Sequence, residues 1–277
     1  MGSPIDTSSL QIQRQGMHLT LDPGSGAVRL HARQAEWLLR GAGMSGFGHL
    51  SDDAGRVYVL GGTPSEPQLP VPIVWKRESR YRLVGRGSLP QLDVACEITY
   101  ALEKGRKLRC ALVLEGPDAA QIQYVRFPFA PSADAPESRL VFPQWLGLLV
   151  SPEGEDIRVT RRLYERPWSM RFLGATQGVQ DNGRSYIAIL DDSLYRFADV
   201  WRHNGRAGYD IMGERSWAEG QSQRREQTIT FDFLDGNYVQ IAKRYRDWAS
   251  QRPEWRTLAT RERPCDPQRV GGAITFA

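Results

Sequence analysis

Two adjacent aspartates, Asp191 and Asp192, form the acidic pair in this sequence that is best suited to chemistry. Acid–base cleavage of a bond needs two carboxyl groups that flank it, one to give a proton and one to act as base or nucleophile. Adjacent residues on a strand point to opposite faces, so this pair is poorly placed for that task. We therefore expect turn capping first, hydrogen bonding to a substrate or neighbouring domain second, and catalysis last.

Metal and cofactor motifs are not found in the sequence. The four histidines are scattered along the chain: His18, His31, His49 and His203. They show neither the HxH nor the HExxH spacing that places two imidazoles on one metal ion. The sequence also contains no GxSxG, Walker or GxGxxG motif. We therefore expect no metal site and no cofactor.

The cysteines do not predict a disulfide framework, because an odd number of them occurs at irregular spacing. They are Cys96, Cys110 and Cys265. A tight turn at residues 104–105 would pair Cys110 with Thr99 and place Cys96 on the opposite face of the hairpin. Cys96 and Cys110 are accordingly predicted to be buried small hydrophobic residues.

The composition is typical of a globular protein: 40% of the 277 residues are hydrophobic and 25% are charged. No apolar run approaches the ~20 residues that a membrane span needs. The N-terminus lacks a basic segment followed by an apolar one, so we expect a cytoplasmic location. The net charge is +4, but acidic residues are interspersed with the arginines. A nucleic-acid-binding protein concentrates its positive charge, so we expect no nucleic-acid partner.

Short alternating segments separated by turn residues predict a mainly β fold. Residues 17–21 and 27–31 flank an Asp-Pro-Gly-Ser-Gly turn and predict a hairpin. Residues 227–233 alternate cleanly, with Ile229 and Phe231 predicted to point inward. Residues 194–203 fit a helix or a strand, and the neighbouring strands favour a strand. More than a dozen such segments, without a repeat, predict a large antiparallel β-sandwich.

The one convincing long helix comes late, at residues 235–252. Tyr238, Ile241, Tyr245 and Trp248 fall at helical spacing and predict an apolar face. Asp235 or Asn237 is the predicted N-cap of this helix, and Pro253 is predicted to end it. This helix divides the chain into a disordered N-terminus (1–15), a β-sandwich (16–234), a linking helix (235–252) and a connector (253–277).

Three stretches, in this order and spacing, carry a resemblance to a known family. They are HLTLDPGSGAVRLHARQAEWLLRG, RPWSMRFLGATQGVQDNGRSYIAILDD and DGNYVQIAKRYRDWASQRPEW. Together they resemble the N-terminal region of certain glycoside hydrolases, in which a galactose-mutarotase-like β-supersandwich precedes a (β/α)8 catalytic barrel. This sequence departs from that pattern at Asp191, where the family often has a His.

The resemblance implies that the catalytic carboxylates belong to loops of a barrel. The final GGAITFA falls where the first barrel strand would begin. On this interpretation the chain is the front part of a longer polypeptide and contains no catalytic residue of its own. Its partners would be a carbohydrate and a C-terminal catalytic barrel in the same polypeptide, and the chain alone would be inactive.

Sugars are bound by flat aromatic faces together with planar polar groups. The candidate tryptophans are Trp145, Trp168, Trp201 and Trp217, although core packing is the more common role of a large aromatic. Trp168 is the best placed for exposure, because it follows Pro167 at a strand entrance and lies near Arg166 and Arg171. The predicted substrate-binding residues are Trp168, Arg166, Asp191, Asp192 and Trp145.

A second interpretation stays open, namely a self-contained carbohydrate-binding or aldose epimerase-like protein on the same sandwich. An epimerase needs an acid and a base that face one sugar ring, commonly a His and a carboxylate. His49 and His203 could serve, but the sequence pairs neither of them with an acid.

Overall fold

The chain folds into three β-sheets and one long helix, seen here in a computed structural model. The structure describes residues 10–252 except 33, 64, 66, 133–136, 143–147, 163–170, 179–181, 191–195 and 216–221. Its architecture confirms the predicted mainly β fold, a large antiparallel sandwich with a C-terminal helix. In the part of the chain described, no helix is both long and apolar enough to cross a membrane.

The smallest sheet has five strands. In spatial order they are β1 (Gln11–Arg14), β2 (Met17–Asp22), β3 (Ala27–Ala32), β4 (Ala35–Leu39) and β13 (Pro131–Ser132). The predicted hairpin is β2–β3, and its turn is held by the Asp22 carboxylate, which accepts from the Gly24 N–H at 3.0 Å. Over residues 10–15 the structure corrects the prediction of disorder, because strand β1 forms there and Leu10 and Ile12 are buried in the core.

The largest sheet has nine strands. They are β15 (Leu148–Val150), β14 (Ser138–Phe142), β17 (Phe172–Gln177), β18 (Arg184–Ile189), β21 (Arg224–Asp235), β11 (Lys107–Glu115), β10 (Ala95–Glu103), β9 (Arg82–Ser88) and β8 (Val74–Ser79). The central strand β21 alternates as predicted, with Ile229, Phe231 and Phe233 buried. One face of this sheet therefore points into the core, and the other is available to the helix.

The third sheet has seven strands. They are β16 (Ile157–Arg162), β19 (Arg196–His203), β20 (Arg206–Glu214), β12 (Ile122–Phe129), β5 (Gly48–Asp52), β6 (Val57–Leu60) and β7 (Leu69–Val71). Strand β19 settles the ambiguous segment 194–203 in favour of a strand over its described residues. Strands β6 and β7 pair in parallel, unlike the antiparallel pairs of the other described ladders.

All three sheets contribute to one continuous hydrophobic core. Trp37 of the smallest sheet meets Tyr186 of the largest edge-on, with ring centroids 5.2 Å apart. Tyr209 of the seven-stranded sheet lies 6.1 Å from Phe142 of the nine-stranded sheet. Trp37 is thus a core residue. Aromatic pairs of this kind add to the free energy gained by burying their area.

The helix, α1 (Tyr238–Ser250), packs on the outer face of the nine-stranded sheet. Asn237 caps it, since its side-chain oxygen accepts from the Val239 N–H at 2.9 Å. Ile241 is fully buried among Phe172 and Ile187, and Tyr245 packs at the edge of this small cluster. The predicted apolar face is only partly covered, because Tyr238 keeps 41% of its surface exposed.

The hairpin β10–β11 differs by one residue from its predicted register. Its loop has three residues rather than two, so Cys110 pairs with Tyr100 instead of Thr99. Cys96 and Cys110 therefore lie on the same, inward face, not on opposite faces as predicted. Both are buried free thiols, and burial raises the pKa of Cys96 to about 12. The prediction of buried small hydrophobic residues is confirmed.

Candidate functional site

The predicted substrate-binding residues lie outside the described part of the chain. They are Trp168, Arg166, Asp191, Asp192 and Trp145. The structure does describe where the flanking strands meet: the Leu190 N–H donates to the Arg171 carbonyl at 2.8 Å. Arg171 directly follows residues 163–170 and Leu190 directly precedes residues 191–195, so both segments connect to the same end of the neighbouring strands β17 and β18.

Trp201, another candidate, is buried rather than presented to a ligand. Its ring is only 1% exposed, and its Nε1–H donates to Asp210 Oδ1 at 2.8 Å. The side chain is therefore enclosed by the protein, but it lies outside the hydrophobic core, on the same face of β19 as Asp199. Its hydrogen-bond partner, Asp210, belongs to a network of buried ion pairs.

This arrangement is an arginine–aspartate cluster, made of Arg126, Arg158, Asp199 and Asp210. It lies on the face of the seven-stranded sheet that points away from the core, since Ala198 and Val200, which flank Asp199, belong to the core. Register brings two members together: Asp199 is directly opposite Asp210, eleven positions later in the sequence. Strand β12 has an irregular register just after Arg126, and such bulges re-aim side chains.

Two oxygen atoms carry the ionic contacts of the cluster. Arg126 Nη1 donates to Oδ2 of Asp199 at 2.7 Å and to Oδ2 of Asp210 at 2.9 Å. Arg158 donates to the same two atoms, from Nε at 3.0 Å and from Nη2 at 2.9 Å. Each carboxylate is therefore shared between both guanidinium groups, and each guanidinium between both carboxylates.

The second oxygen of each carboxylate is also bonded. Asp199 Oδ1 accepts from the Thr160 hydroxyl at 2.5 Å, while Asp210 Oδ1 accepts from Trp201. Burial alone would raise the pKa of Asp199, but the Thr160 hydroxyl and the two arginines outweigh it and hold that pKa below its ordinary value. Burial dominates at Asp210 and raises its pKa, although Arg126 and Arg158 oppose this shift.

The loop before β5 covers the cluster. Met44 Sδ lies 4.0 Å from nitrogen atoms of both Arg126 and Arg158. His49, the cross-strand partner of Arg126, contacts the Ser45 carbonyl through Nε2 at 2.9 Å. Burial lowers the pKa of His49, and the nearby arginines lower it further. The lowered pKa favours the neutral imidazole at neutral pH, and its Nε2–H then donates to the Ser45 carbonyl.

The cluster is built for rigidity rather than for acid–base chemistry. A carboxylate that accepts from two guanidinium groups has no freedom to take and release a proton at a substrate. Sequence reasoning missed these four residues. The available signal was the presence of charged residues inside otherwise apolar strands, as in the sequence Tyr209-Asp210-Ile211.

A histidine–carboxylate pair lies at the end of β19. His203 Nδ1 and Asp156 Oδ2 are 2.6 Å apart, and both side chains are substantially exposed. The Asp156 carboxylate also accepts from the Asn204 N–H at 3.2 Å, and its bond with His203 lowers its pKa. The sequence names His203 as a candidate base without an acid partner, and the structure supplies Asp156.

A cleft of about 560 Å³ separates α1 from the open part of the nine-stranded sheet. Its described lining comes from β10, β11, the end of β18, β21 and α1, and consists of the residues Glu103, Lys107, Ile187, Ile189, Leu190, Glu226, Thr228, Ile229, Thr230, Asp232, Arg244 and Trp248. On the helix side, Arg244 Nε donates to Asp232 at 2.8 Å. Leu190, which lines the cleft, directly precedes residues 191–195 in the sequence.

The fold recurs in solved structures of larger enzymes. An alpha-N-acetylgalactosaminidase from Bifidobacterium bifidum in complex with GalNAc matches 90% of this chain at a TM-score of 0.68 and 17% identity. The chain has the fold of a part of certain glycoside hydrolases. The ligand-free form of that enzyme matches the same share at a TM-score of 0.64 and 18% identity.

A GH36 alpha-galactosidase from Geobacillus stearothermophilus shares the fold more distantly, with a TM-score of 0.50 and 11% identity over 88% of this chain. The chain spans only 40–45% of the length of these glycoside hydrolases. No family model matches the sequence, and no curated protein matches it. The resemblance seen in the three sequence stretches is thus confirmed at the level of the fold.

Proposed function

We propose that this chain is a largely non-catalytic sandwich domain of a glycoside hydrolase, which supports a (β/α)8 catalytic barrel in the same polypeptide and shapes its carbohydrate site. The observation that carries the proposal is the mismatch in length: 90% of this chain aligns with 40% of the glycosidase. More than half of the matched enzyme lies outside the shared fold, which leaves room for a separate catalytic domain.

The chemistry of the described residues also supports a sandwich domain that leaves catalysis to a separate barrel. Glycoside cleavage needs two carboxyl groups on either side of the scissile bond. The most deeply buried acidic pair described, Asp199 and Asp210, is clamped by Arg126 and Arg158. These carboxylates stabilise the sandwich and are poor candidates for proton transfer to a sugar.

A comparison of two proteins tests the proposal. The first is the purified chain of 277 residues, and the second is the product of the reading frame extended beyond Ala277. Both are assayed for release of a chromogenic group from aryl α-galactosides and aryl α-N-acetylgalactosaminides. We expect turnover by the extended product alone. Hydrolysis by the shorter chain that disappears in Asp191→Asn or Asp192→Asn would contradict the proposal.

The pair His203–Asp156 favours a second candidate, an aldose epimerase-like activity of the sandwich itself. A carboxylate that orients an imidazole is a common way to prepare a general base. Polarimetry of freshly dissolved α-galactose tests this candidate. Acceleration of mutarotation by the chain, lost in His203→Gln and kept in His18→Gln, would favour the epimerase over the non-catalytic domain.

A further inference from the structure

The cleft between α1 and the nine-stranded sheet is a site that neither the sequence motifs nor the fold assigns. We propose that it binds an uncharged saccharide, through Glu103, Lys107, Thr230 and Trp248. The inference rests on the proposed function, because the cleft would be an additional carbohydrate-binding site of the same glycoside hydrolase. It does not depend on Asp191 or Trp168, which the sequence predicts to bind substrate.

Unpaired polar groups point to a ligand. Glu103 and Lys107 are cross-strand partners on β10 and β11, yet neither forms an ion pair with any residue that the structure describes. The Thr230 hydroxyl, further along β21, also has no hydrogen-bond partner among the described residues. A carboxylate, an ammonium group and a hydroxyl together offer both acceptors and donors, which is the combination that vicinal sugar hydroxyls require.

A row of paired residues forms the floor of the cleft. Glu103 is opposite Lys107, Lys107 is opposite Asp232, and Asp232 is opposite Ile187. The row crosses four adjacent strands on the face that carries the helix. Asp232 is engaged by Arg244, so this ion pair closes one end of the row while the charges of Glu103 and Lys107 remain available at the other.

Trp248 supplies an aromatic wall. The indole ring is half-buried and lies 5.4 Å from the Tyr245 ring, while the Arg252 guanidinium carbon lies 4.4 Å from the indole centroid. These contacts hold the ring before any ligand arrives, which reduces the entropy lost on binding. Pockets that combine an aromatic wall with a few converging polar groups are typical of small-molecule sites.

Charge and size favour an uncharged sugar over an anionic ligand. The acidic side chains of the described lining, Glu103, Glu226 and Asp232, outnumber the basic ones, Lys107 and Arg244. Glu226 is paired with Arg224 and Asp232 with Arg244, so the lining has no excess of positive charge. A phosphate, a nucleic acid or an acidic sugar would therefore gain no net electrostatic attraction there. The volume of about 560 Å³ lies within the range of roughly 300–1,000 Å³ that is usual for ligand pockets.

Saturation-transfer NMR titrations of the 277-residue chain test the inference. The probes are methyl α-galactopyranoside and N-acetylgalactosamine, with galacturonic acid as the anionic comparison. The variants Glu103→Gln and Lys107→Met each remove one charged hydrogen-bonding group. We expect each to weaken binding of the uncharged probes about tenfold, as for loss of a charge-assisted hydrogen bond. Lys104→Met, in the adjacent turn and outside the cleft, is the matched control and should bind like the parent.

Three results would overturn the inference. The first is the absence of saturable binding for both uncharged probes. The second is binding that Glu103→Gln and Lys107→Met leave unchanged, since the sugar would then lie elsewhere. Tighter binding of galacturonic acid than of the uncharged probes would contradict the charge argument and with it the inference. Hydrolysis by the isolated chain would defeat the proposed function alone, because this titration measures only binding.

Discussion

The indole ring of Trp201 lies directly over Gly208, its cross-strand partner on β20. A Cβ atom built on Gly208 would be only 2.4 Å from Trp201 Cζ2, far inside van der Waals contact. The missing side chain therefore lets the ring lie against the strand while its Nε1–H reaches Asp210. One glycine on β20 thus fixes a hydrogen-bond donor of the arginine–aspartate cluster.

Gly208→Ala is expected to lower the free energy of unfolding by about 1–3 kcal/mol, because the ring must move and loosen its bond to Asp210. Urea denaturation monitored by tryptophan fluorescence measures the change. Gly24→Ala is the matched control, since its added methyl group would touch only Asp22 Oδ1 at an ordinary 3.4 Å. Equal midpoints for the two variants would mean that the ring does not depend on Gly208.

Asp199→Asn should destabilise the sandwich by about 1–3 kcal/mol, because it removes the charge of a buried carboxylate that both Arg126 and Arg158 contact, while the two arginines keep part of their surface in water. The comparison is Glu36→Gln, which breaks the exposed pair with Arg29 and should cost about 1 kcal/mol or less. Thermal and urea denaturation of both variants give the difference. Similar losses in the two would show that burial does not strengthen the cluster.

Asp52 should make stability depend on acid pH. Its carboxylate accepts from the Arg56 N–H at 2.9 Å, from Arg56 Nε at 2.6 Å and from the Tyr58 hydroxyl at 2.9 Å. Burial raises the pKa of Asp52, but these bonds outweigh burial and bring that pKa below its ordinary value of 3.8. A carboxyl group with a lowered pKa stabilises the folded state at neutral pH and loses this contribution as the pH falls through the folded-state pKa.

Asp52→Asn is accordingly expected to be less stable than the parent at neutral pH, with the gap narrowing as the pH drops below about 4. Urea denaturation at a series of pH values measures the gap. The exposed residue Asp93 offers the control Asp93→Asn. A gap for Asp52→Asn that stays constant down to the acid limit would show that the charge is not the source of its stability.

The helix should depend on Ile241 more than on Trp248. Ile241 is fully buried and contacts Gly174 and the neighbouring β17–β18 surface, whereas Trp248 is half-buried beside the cleft. Ile241→Ala should cost about 2–5 kcal/mol, Trp248→Ala less, and the exposed Lys243→Ala close to nothing. Thermal melting ranks the three variants. A loss for Trp248→Ala that matches or exceeds that for Ile241→Ala would mean that the aromatic residue is the main anchor.

The sequence by itself determined the local elements. Alternation at residues 227–233 predicted β21 and its buried face, and the turn after Asp22 predicted the β2–β3 hairpin, because side-chain period and turn chemistry act over a few residues. The late helix was predicted for the same reason. Even here a single residue changed the result. The loop of the β10–β11 hairpin is one residue longer than predicted, so Cys96 lies on the same face as Cys110.

Only the tertiary structure decided which polar side chains meet. Arg126 and Asp199 are 73 residues apart, and Arg126 and Asp210 are 84 apart, so no local pattern relates them. Their contact depends on strand order and register in the seven-stranded sheet, which long-range pairing sets. The cleft beside Trp248 arises in the same way, from where α1 packs across β17, β18 and β21. Local periodicity specifies which face a side chain takes, whereas the partner across a sheet depends on the packing of the whole chain.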